Sequence, residues 1–356
     1  MGVRLARRIV AALWRVACAV AWSLLGLWTA LALFYNVPLP PWAATILALA
    51  VASLYASAFR ERLLVRGRED TFWRETRRSQ AALAVTAAVA IGYFGFITPN
   101  PNEDWITPHA KMPHVEVVGD KVHVGNVRNF TWRTPTDFTP GYEDRVYDVS
   151  ALSSMYFVIS PIFDLEPAAH VWVCFGFSDG QHVAVSVEAR GVKGRPFGLF
   201  PSMFRQFQLI YVIGDERDVV GLRGVARKAA VRFYPVRATK EEMRAFFLDV
   251  MERAHSLEEH PEFYNLFTNN CLNNITYHIR RLGARDLPSA VWLVLTGFSD
   301  RYAYDYGFLD TNLPFEKARE AYRIDEWIQN TPLDETFSER LREVLRRQGA
   351  DKVPYP

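Results

Sequence analysis

Unbroken apolar runs fill the N-terminal part of this chain, and shorter patterns of period two or helical spacing replace them afterwards. The runs are Val16–Phe34, Pro41–Phe59 and Ala81–Ile97, none with a charge inside it. Each approaches the ~20 apolar residues a helix needs to cross a bilayer, which predicts three transmembrane helices at about 16–34, 41–59 and 81–97. The first run resembles a secretory leader behind Arg4, Arg7 and Arg8, but it is long for that role and two more runs follow. A retained membrane anchor over residues 1–98 fits better. Residues 99–113, rich in Pro and Asn, read as a linker.

Beyond the linker, Val115–Val118 and Lys121–Val124 flank Gly119-Asp120 as a small hairpin. Asn126–Arg133 and Arg145–Val149 read as edge strands, and Ser153–Ile159, Gln208–Ile213, Val219–Leu222 and Ala230–Val236 as further strands. Helical spacing takes over at Lys240–Leu257, Asn270–Leu282 and Glu335–Arg347. Residues 114–356 are therefore expected to form one α+β domain, an antiparallel sheet packed on helices, large enough to bury a full core.

The most regular alternation runs from His170 to Phe177 and from Gln181 to Glu188, on either side of Ser178-Asp179-Gly180. It predicts a β-hairpin with Gly180 where positive φ is required. Pairing Phe177 with Gln181 sets His170 opposite Glu188, with Cβ atoms ~5 Å apart, close enough for a carboxylate to orient an imidazole. The same register puts Ser186 on their face and the paired valines on the other. His182, near the loop, is too far along the hairpin to use Glu188.

An oriented base needs a nucleophile, and Cys271 opens a well-marked helix. Thr268, Asn269 and Asn270 offer N-cap side chains, Gly283 stops the helix, and Leu272, Ile275, Ile279 and Leu282 make its core face. In that first turn the helix dipole favours a thiolate, which predicts a lowered pKa for Cys271. The backbone N–H groups there can also donate to an oxyanion. A buried structural thiol at a helix start is the competing reading.

Charge adds a topology. The 356 residues carry a formal net charge of +2, unevenly placed. Arg4, Arg7, Arg8 and Arg15 precede the first run, and Arg60, Arg62, Arg66, Arg68, Arg74, Arg77 and Arg78 crowd the segment before the third. Tyr35–Pro40 carries no charge. The positive-inside bias puts the N-terminus and the 60–80 segment in the cytoplasm, so that residues beyond about 98 lie on the far side. In a bacterial inner membrane that side is the periplasm. The remaining charges roughly balance, and nucleic acid is not an expected partner.

Of the three cysteines, Cys18 belongs to the first run. Cys174 and Cys271 share an oxidising compartment, where either they pair or Cys271 is kept reduced for catalysis. His109, His114, His123, His255 and His260 lack metal-ligand spacing. H-E-x-x-H, C-x-x-C and a Gly-rich phosphate loop are absent, so no metal or cofactor is expected. Asp215-Glu-Arg-Asp218, with Arg223 and Arg227 nearby, reads as an anion site or as an ion-pair network at a turn. Trp105, Trp132 and Tyr302–Phe308 are either interfacial or core aromatics.

Four ordered motifs point to a family. They are His-x-x-x-x-Phe-Gly-Phe-x-Asp-Gly (His170–Gly180), Ser-Val-Glu-x-Arg (Ser186–Arg190), Tyr-Val-x-x-Asp-Glu-Arg-Asp (Tyr211–Asp218) and Phe-Tyr-Asn-x-x-x-Asn-Asn-Cys (Phe263–Cys271). With Asn126–Phe130, they make residues 105–310 resemble the Lnb N-terminal periplasmic domain family. Its hallmark His and Asn-Cys-Thr map onto His170 and Asn270-Cys271, with Leu272 where the family has Thr. The order His, acid, Cys is also similar to circularly permuted papain-like, NlpC-type folds such as the lecithin:retinol acyltransferases.

The resemblance implies a thiol acyltransferase moving an acyl chain from phospholipid to the α-amino group of a lipoprotein, through an acyl-Cys271 intermediate. Cys271 would be the nucleophile, His170 its base and Glu188 the orienting acid, with Asn270 and Ser186 in support. Expected partners are the lipid bilayer, phospholipid, and a lipoprotein or peptide substrate. A cysteine peptidase or amidase acting on peptidoglycan, and a non-catalytic envelope scaffold or sensor, are the alternatives.

Overall fold

The computed structural model describes residues 2–64, 77–162, 165–283, 287 and 293–348. Arg66, Arg68 and Arg74 of the basic segment lie outside them. Two compact units divide the chain: Met1–Pro99 with Phe204–Gln206, and Asn100–Met203 with Phe207–Pro356.

All three apolar runs are helical, as α1 (Gly2–Asn36), α2 (Pro41–Leu64) and α3 (Arg77–Gly95). Among the described residues, the stretches Ile9–Asn36 and Pro41–Arg60 are long and apolar enough to cross a membrane. α3 opens on Arg77 and Arg78 and does not reach that measure. Buried polar side chains join the three helices. Trp22 Nε1 donates to the Tyr55 carbonyl at 3.2 Å, and the Tyr55 hydroxyl donates to the Ala82 carbonyl and meets Thr86 Oγ1. Thr86 in turn lies 2.9 Å from the Thr29 hydroxyl. Such bonds tie helices together where lipid removes the hydrophobic drive between them. Gly26 permits the closest approach, since a Cβ there would lie 2.7 Å from the Tyr55 ring. Phe204–Gln206 joins this unit: Phe204 stacks on Tyr35, and Arg205 donates to the Tyr93 and Ile97 carbonyls left open at the end of α3.

The second unit has strands β1 (His114–Val118), β2 (Lys121–Arg128), β3 (Thr131–Trp132), β4 (Phe138–Thr139), β5 (Tyr142–Asp148), β6 (Leu152–Ile162), β7 (Leu165–Phe177), β8 (His182–Arg190), β9 (Gln208–Gly214) and β10 (Arg232–Pro235). Its helices are α4 (Glu216–Gly221), α5 (Lys240–Glu259), α6 (Cys271–Arg281), α7 (Ser299–Asp305), α8 (Phe315–Ala321), α9 (Asp325–Gln329) and α10 (Phe337–Gln348). The main sheet runs β1-β2-β9-β8-β7-β6-β10, with β5 also on β2. It is mixed rather than wholly antiparallel as expected, because β2 meets β9 in parallel at Arg128↔Gly214. A bulge between Val124 and Val127, with Asn126 at φ 61°, twists β2 just before that meeting. Both faces of the sheet are covered. Phe175 and Phe177 pack on Phe247 of α5, while Glu216 of α4 pairs with Arg342 of α10. Every residue of β9 is buried, which is why this strand reads as a continuous apolar run.

Two expectations need correction. Val219–Leu222 is not a strand: Val219 and Val220 lie in α4, and Leu222 begins a π-helical turn that ends at Ala226. Asp215 starts that helix by accepting from the Arg217 N–H at 3.0 Å, and a short buried run of β-branched residues cannot distinguish helix from strand. Residues 100–113 are not a free linker but part of the second unit. The Ile106 N–H bonds the Gly191 carbonyl at 3.0 Å, and Thr107–His109 forms a 3-10 turn. Pro and Asn announce irregular backbone, not unpacked backbone.

Candidate active site

The β7–β8 hairpin has the predicted register. The Phe177 N–H donates to the Gln181 carbonyl at 3.0 Å, Gly180 has a φ of 89°, and pairing runs from Gly176↔His182 to Trp172↔Ser186. There the ladder stops. β7 continues beside β6 at Ser160↔His170, and β8 beside β9 at Glu188↔Ile210. His170 and Glu188 share a face as expected but do not bond directly: His170 Nε2 stands 3.8 Å from Glu188 Oε1. Ser186 Oγ spans the gap, 2.7 Å from Nε2 and donating to Oε1 at 2.8 Å.

These contacts assign the protons. Burial alone would raise the Glu188 pKa, but the His109 hydrogen bond and the Arg223 charge hold it well below the usual range. An ionised carboxylate only accepts, so the single Ser186 proton goes to Glu188 and Ser186 Oγ accepts from His170 Nε2–H. The lone pair of His170 is then on Nδ1. Burial, and next the Arg223 charge, push the His170 pKa down to about 3, so the imidazole is neutral.

His109 completes the relay, and the sequence reading had assigned it no role. Its Nδ1 accepts from the Gly191 N–H at 2.8 Å, which leaves Nε2–H for Glu188 Oε2 at 3.2 Å. It lies 79 residues before Glu188, with no spacing motif linking the two.

The helix carrying Cys271 begins in a reciprocal capping box. Asn270 Oδ1 accepts from the Asn273 N–H at 2.8 Å, and Asn273 Oδ1 accepts from the Asn270 N–H at 3.0 Å. Both Nδ2 protons of Asn270 go to the Leu266 and Leu293 carbonyls. Asn270 therefore positions Cys271 and has no donor left for an oxyanion. The Cys271 sulfur is buried, and the backbone N–H groups of Val171, the neighbour of His170 on β7, and of Leu272 favour its charged form. These N–H groups are the donors available to developing negative charge.

The expected lowering of the Cys271 pKa is overturned. Burial raises the thiol above its ordinary 9.0, against the N–H groups and the Arg223 charge, because desolvation outweighs the helix terminus. At rest the pair is a neutral thiol and a neutral imidazole. Because the raised pKa leaves little thiolate at neutral pH, Cys271 modification by iodoacetamide, followed by peptide mass spectrometry, is expected to climb through pH 9.0 without levelling. A plateau already near about pH 7 would instead reveal a resting thiolate.

Residues 138–297 match the Lnb N-terminal periplasmic domain family. The chain carries an Lnb N-terminal periplasmic domain. No curated protein and no solved structure matches the chain. The Lnb stretch contains His170, Ser186, Glu188, Arg223 and Cys271, whereas His109 precedes it. The periplasmic family, together with the apolar helices α1 and α2, identifies a membrane-associated protein with a periplasmic domain.

Within the second unit, an apolar cavity of about 420 Å³ adjoins the start of α6, lined among others by Val173, Leu272, Ile275, Ile279 and Leu293. Leu272 directly follows Cys271, and the Leu293 carbonyl holds Asn270.

The acidic run Asp215–Asp218 is an ion-pair network. Glu216 takes two hydrogen bonds from Arg342 at 3.0 and 2.7 Å. Asp218 accepts from Arg128 Nε and Nη2, both at 2.9 Å, and from Phe130 N–H and Trp132 Nε1, both at 2.7 Å. Trp132 is thus a buried donor and not a membrane-interface residue. Cys174 and Cys271 are both free thiols, and Cys174 sits in mid-sheet between Tyr156 and Ala184.

Proposed function

We propose that this protein is a membrane-anchored thiol acyltransferase that carries an acyl chain on Cys271 from a phospholipid to the α-amino group of a lipoprotein. The observation carrying this reading is a helix-start thiol set beside β7, next to a four-residue relay and an apolar cavity. His170 Nδ1 takes the thiol proton as sulfur attacks the ester carbonyl, and Ser186, Glu188 and His109 hold the imidazole in that tautomer. The imidazolium returns the proton to the departing lysophospholipid oxygen, leaving a thioester on Cys271. A neutral amine then attacks the thioester. His170 accepts the proton that the amine loses and delivers it to the Cys271 sulfur. The Val171 and Leu272 N–H groups are placed to receive the oxyanion.

The order His, acid, helix-start Cys suits a permuted papain-like arrangement, and an apolar cavity suits an acyl chain better than a peptidoglycan peptide. Hydrogen bonds joining α3 to α1 and α2 favour three crossings, with the N-terminus cytoplasmic and the Lnb domain on the periplasmic side of a bacterial inner membrane. Incubation of the full chain with phospholipid is expected to yield an acyl thioester on Cys271 and free lysophospholipid, both lost in Cys271→Ala. Muropeptide cleavage without a thioester would replace this reading with the amidase one.

A further inference from the structure

The guanidinium of Arg223 has no protein partner matched to its burial. Arg223 is 7% exposed, yet among the described residues its ion-pair contact is with Glu188 Oε1, 3.9 Å from Nη2 and beyond hydrogen-bond range. Both Glu188 oxygens are already taken, by Ser186 and His109. Arg128 and Arg190, buried arginines nearby, are engaged elsewhere, Arg128 by Asp218 and the Pro108 carbonyl and Arg190 by the His109 and Ala110 carbonyls. Burying a cation without hydrogen bonds is costly, and the cost is met only where an anion arrives.

The position of Arg223 is built, not incidental. It lies in the π-helical turn Leu222–Ala226, closed by Arg227 N–H on the Leu222 carbonyl at 3.1 Å and by Ala229 N–H on the Arg223 carbonyl at 3.0 Å. Gly224 brings that turn against α9, where a Cβ would lie 2.7 Å from Ile328. Such turns recur at functional sites because they re-aim a side chain. The Arg223 charge acts on both Cys271 and His170. Arg227, exposed, adds a second positive charge to a site whose carboxylate, Glu188, is already hydrogen-bonded through both oxygens.

We infer that Arg223 anchors the phosphodiester of a lipid, with Arg227 at the approach, and so sets which carbonyl faces Cys271. The inference deepens the acyl-donor reading above and rests on it for the lipid. Its chemistry is recognition of an oxyanion next to the thiol, which can be read without turnover.

The test compares Cys271 alkylation by iodoacetate and by iodoacetamide, near-isosteric reagents that differ in charge, on the full chain in detergent. The ratio of the two rates cancels changes in thiolate fraction. Relative to N-acetylcysteine, wild type is expected to favour iodoacetate, and Arg223→Gln to lower the ratio about tenfold, the size of a charge-assisted hydrogen bond. Arg223→Lys, which keeps the charge, retains part of the preference and guards against a folding defect. Dispersed phosphatidylglycerol should protect Cys271 at lower concentration than inorganic phosphate. A wild-type ratio equal to that of N-acetylcysteine, or one unchanged in Arg223→Gln, overturns the anion site. Protection by inorganic phosphate alone overturns the lipid assignment. If acyl transfer fails while the iodoacetate preference persists, only the acyltransferase reading falls.

Discussion

Cys271→Ala and His170→Ala are each expected to lower acyl transfer on the order of 10⁴-fold, and the double variant no further, because nucleophile and base act as one unit. The reasoning starts from the resting charges. A thiol held above its ordinary pKa presents almost no thiolate at neutral pH, so a base must remove the proton during attack. The His170 Nδ1 lone pair is that base only while Ser186 and Glu188 keep the proton on Nε2. Ser186→Ala cuts the relay in its middle and should cost roughly 10²-fold, within the usual range for general-base assistance. His109→Leu removes one donor from Glu188 and should cost less. Steady-state rates on phospholipid, with circular dichroism to confirm folding, separate these cases. Multiplicative losses in the double variant would mean that the two residues act independently, and an unaffected Cys271→Ala would favour the scaffold reading.

The largest loss of stability is expected at Asp218. Its carboxylate is fully buried and receives four hydrogen bonds, two of them from Arg128, which is itself 1% exposed. Asp218→Ala leaves a buried guanidinium unpaired and two further donors unmet, a loss of about 3–5 kcal/mol. Against a typical domain stability of ~5–15 kcal/mol, that is a large fraction. A fall of roughly 10 °C in the unfolding midpoint of the detergent-solubilised chain is the readout. Arg128→Met in the same chain should recover part of it, because no lone charge then remains inside. A single-variant loss below about 1 kcal/mol would show that water or another group compensates the site.

Much of this molecule is local and was therefore legible in its residues. The hairpin register follows from period-two side chains and from Gly180, whose φ of 89° few other residues adopt. The start of α6 follows from Asn270 and Asn273, which cap it reciprocally. α1 and α2 follow from apolar length alone. Each of these is set by neighbours within a few residues, so the chain specifies it without knowing what packs around it.

Tertiary structure decided the rest. The parting of β7 and β8 after Trp172↔Ser186 turned a direct His170–Glu188 contact into one carried by Ser186. Folding brought in His109 from a segment that reads as a linker, and Arg223 from a turn just after a run that reads as a strand. The Cys271 pKa moved opposite to the helix-terminus expectation because desolvation depends on everything around the sulfur. The sequence by itself determined the apolar N-terminal helices, the hairpin and the helix-start thiol. Packing determined which charges meet there, because burial and electrostatics sum over residues distant in the chain.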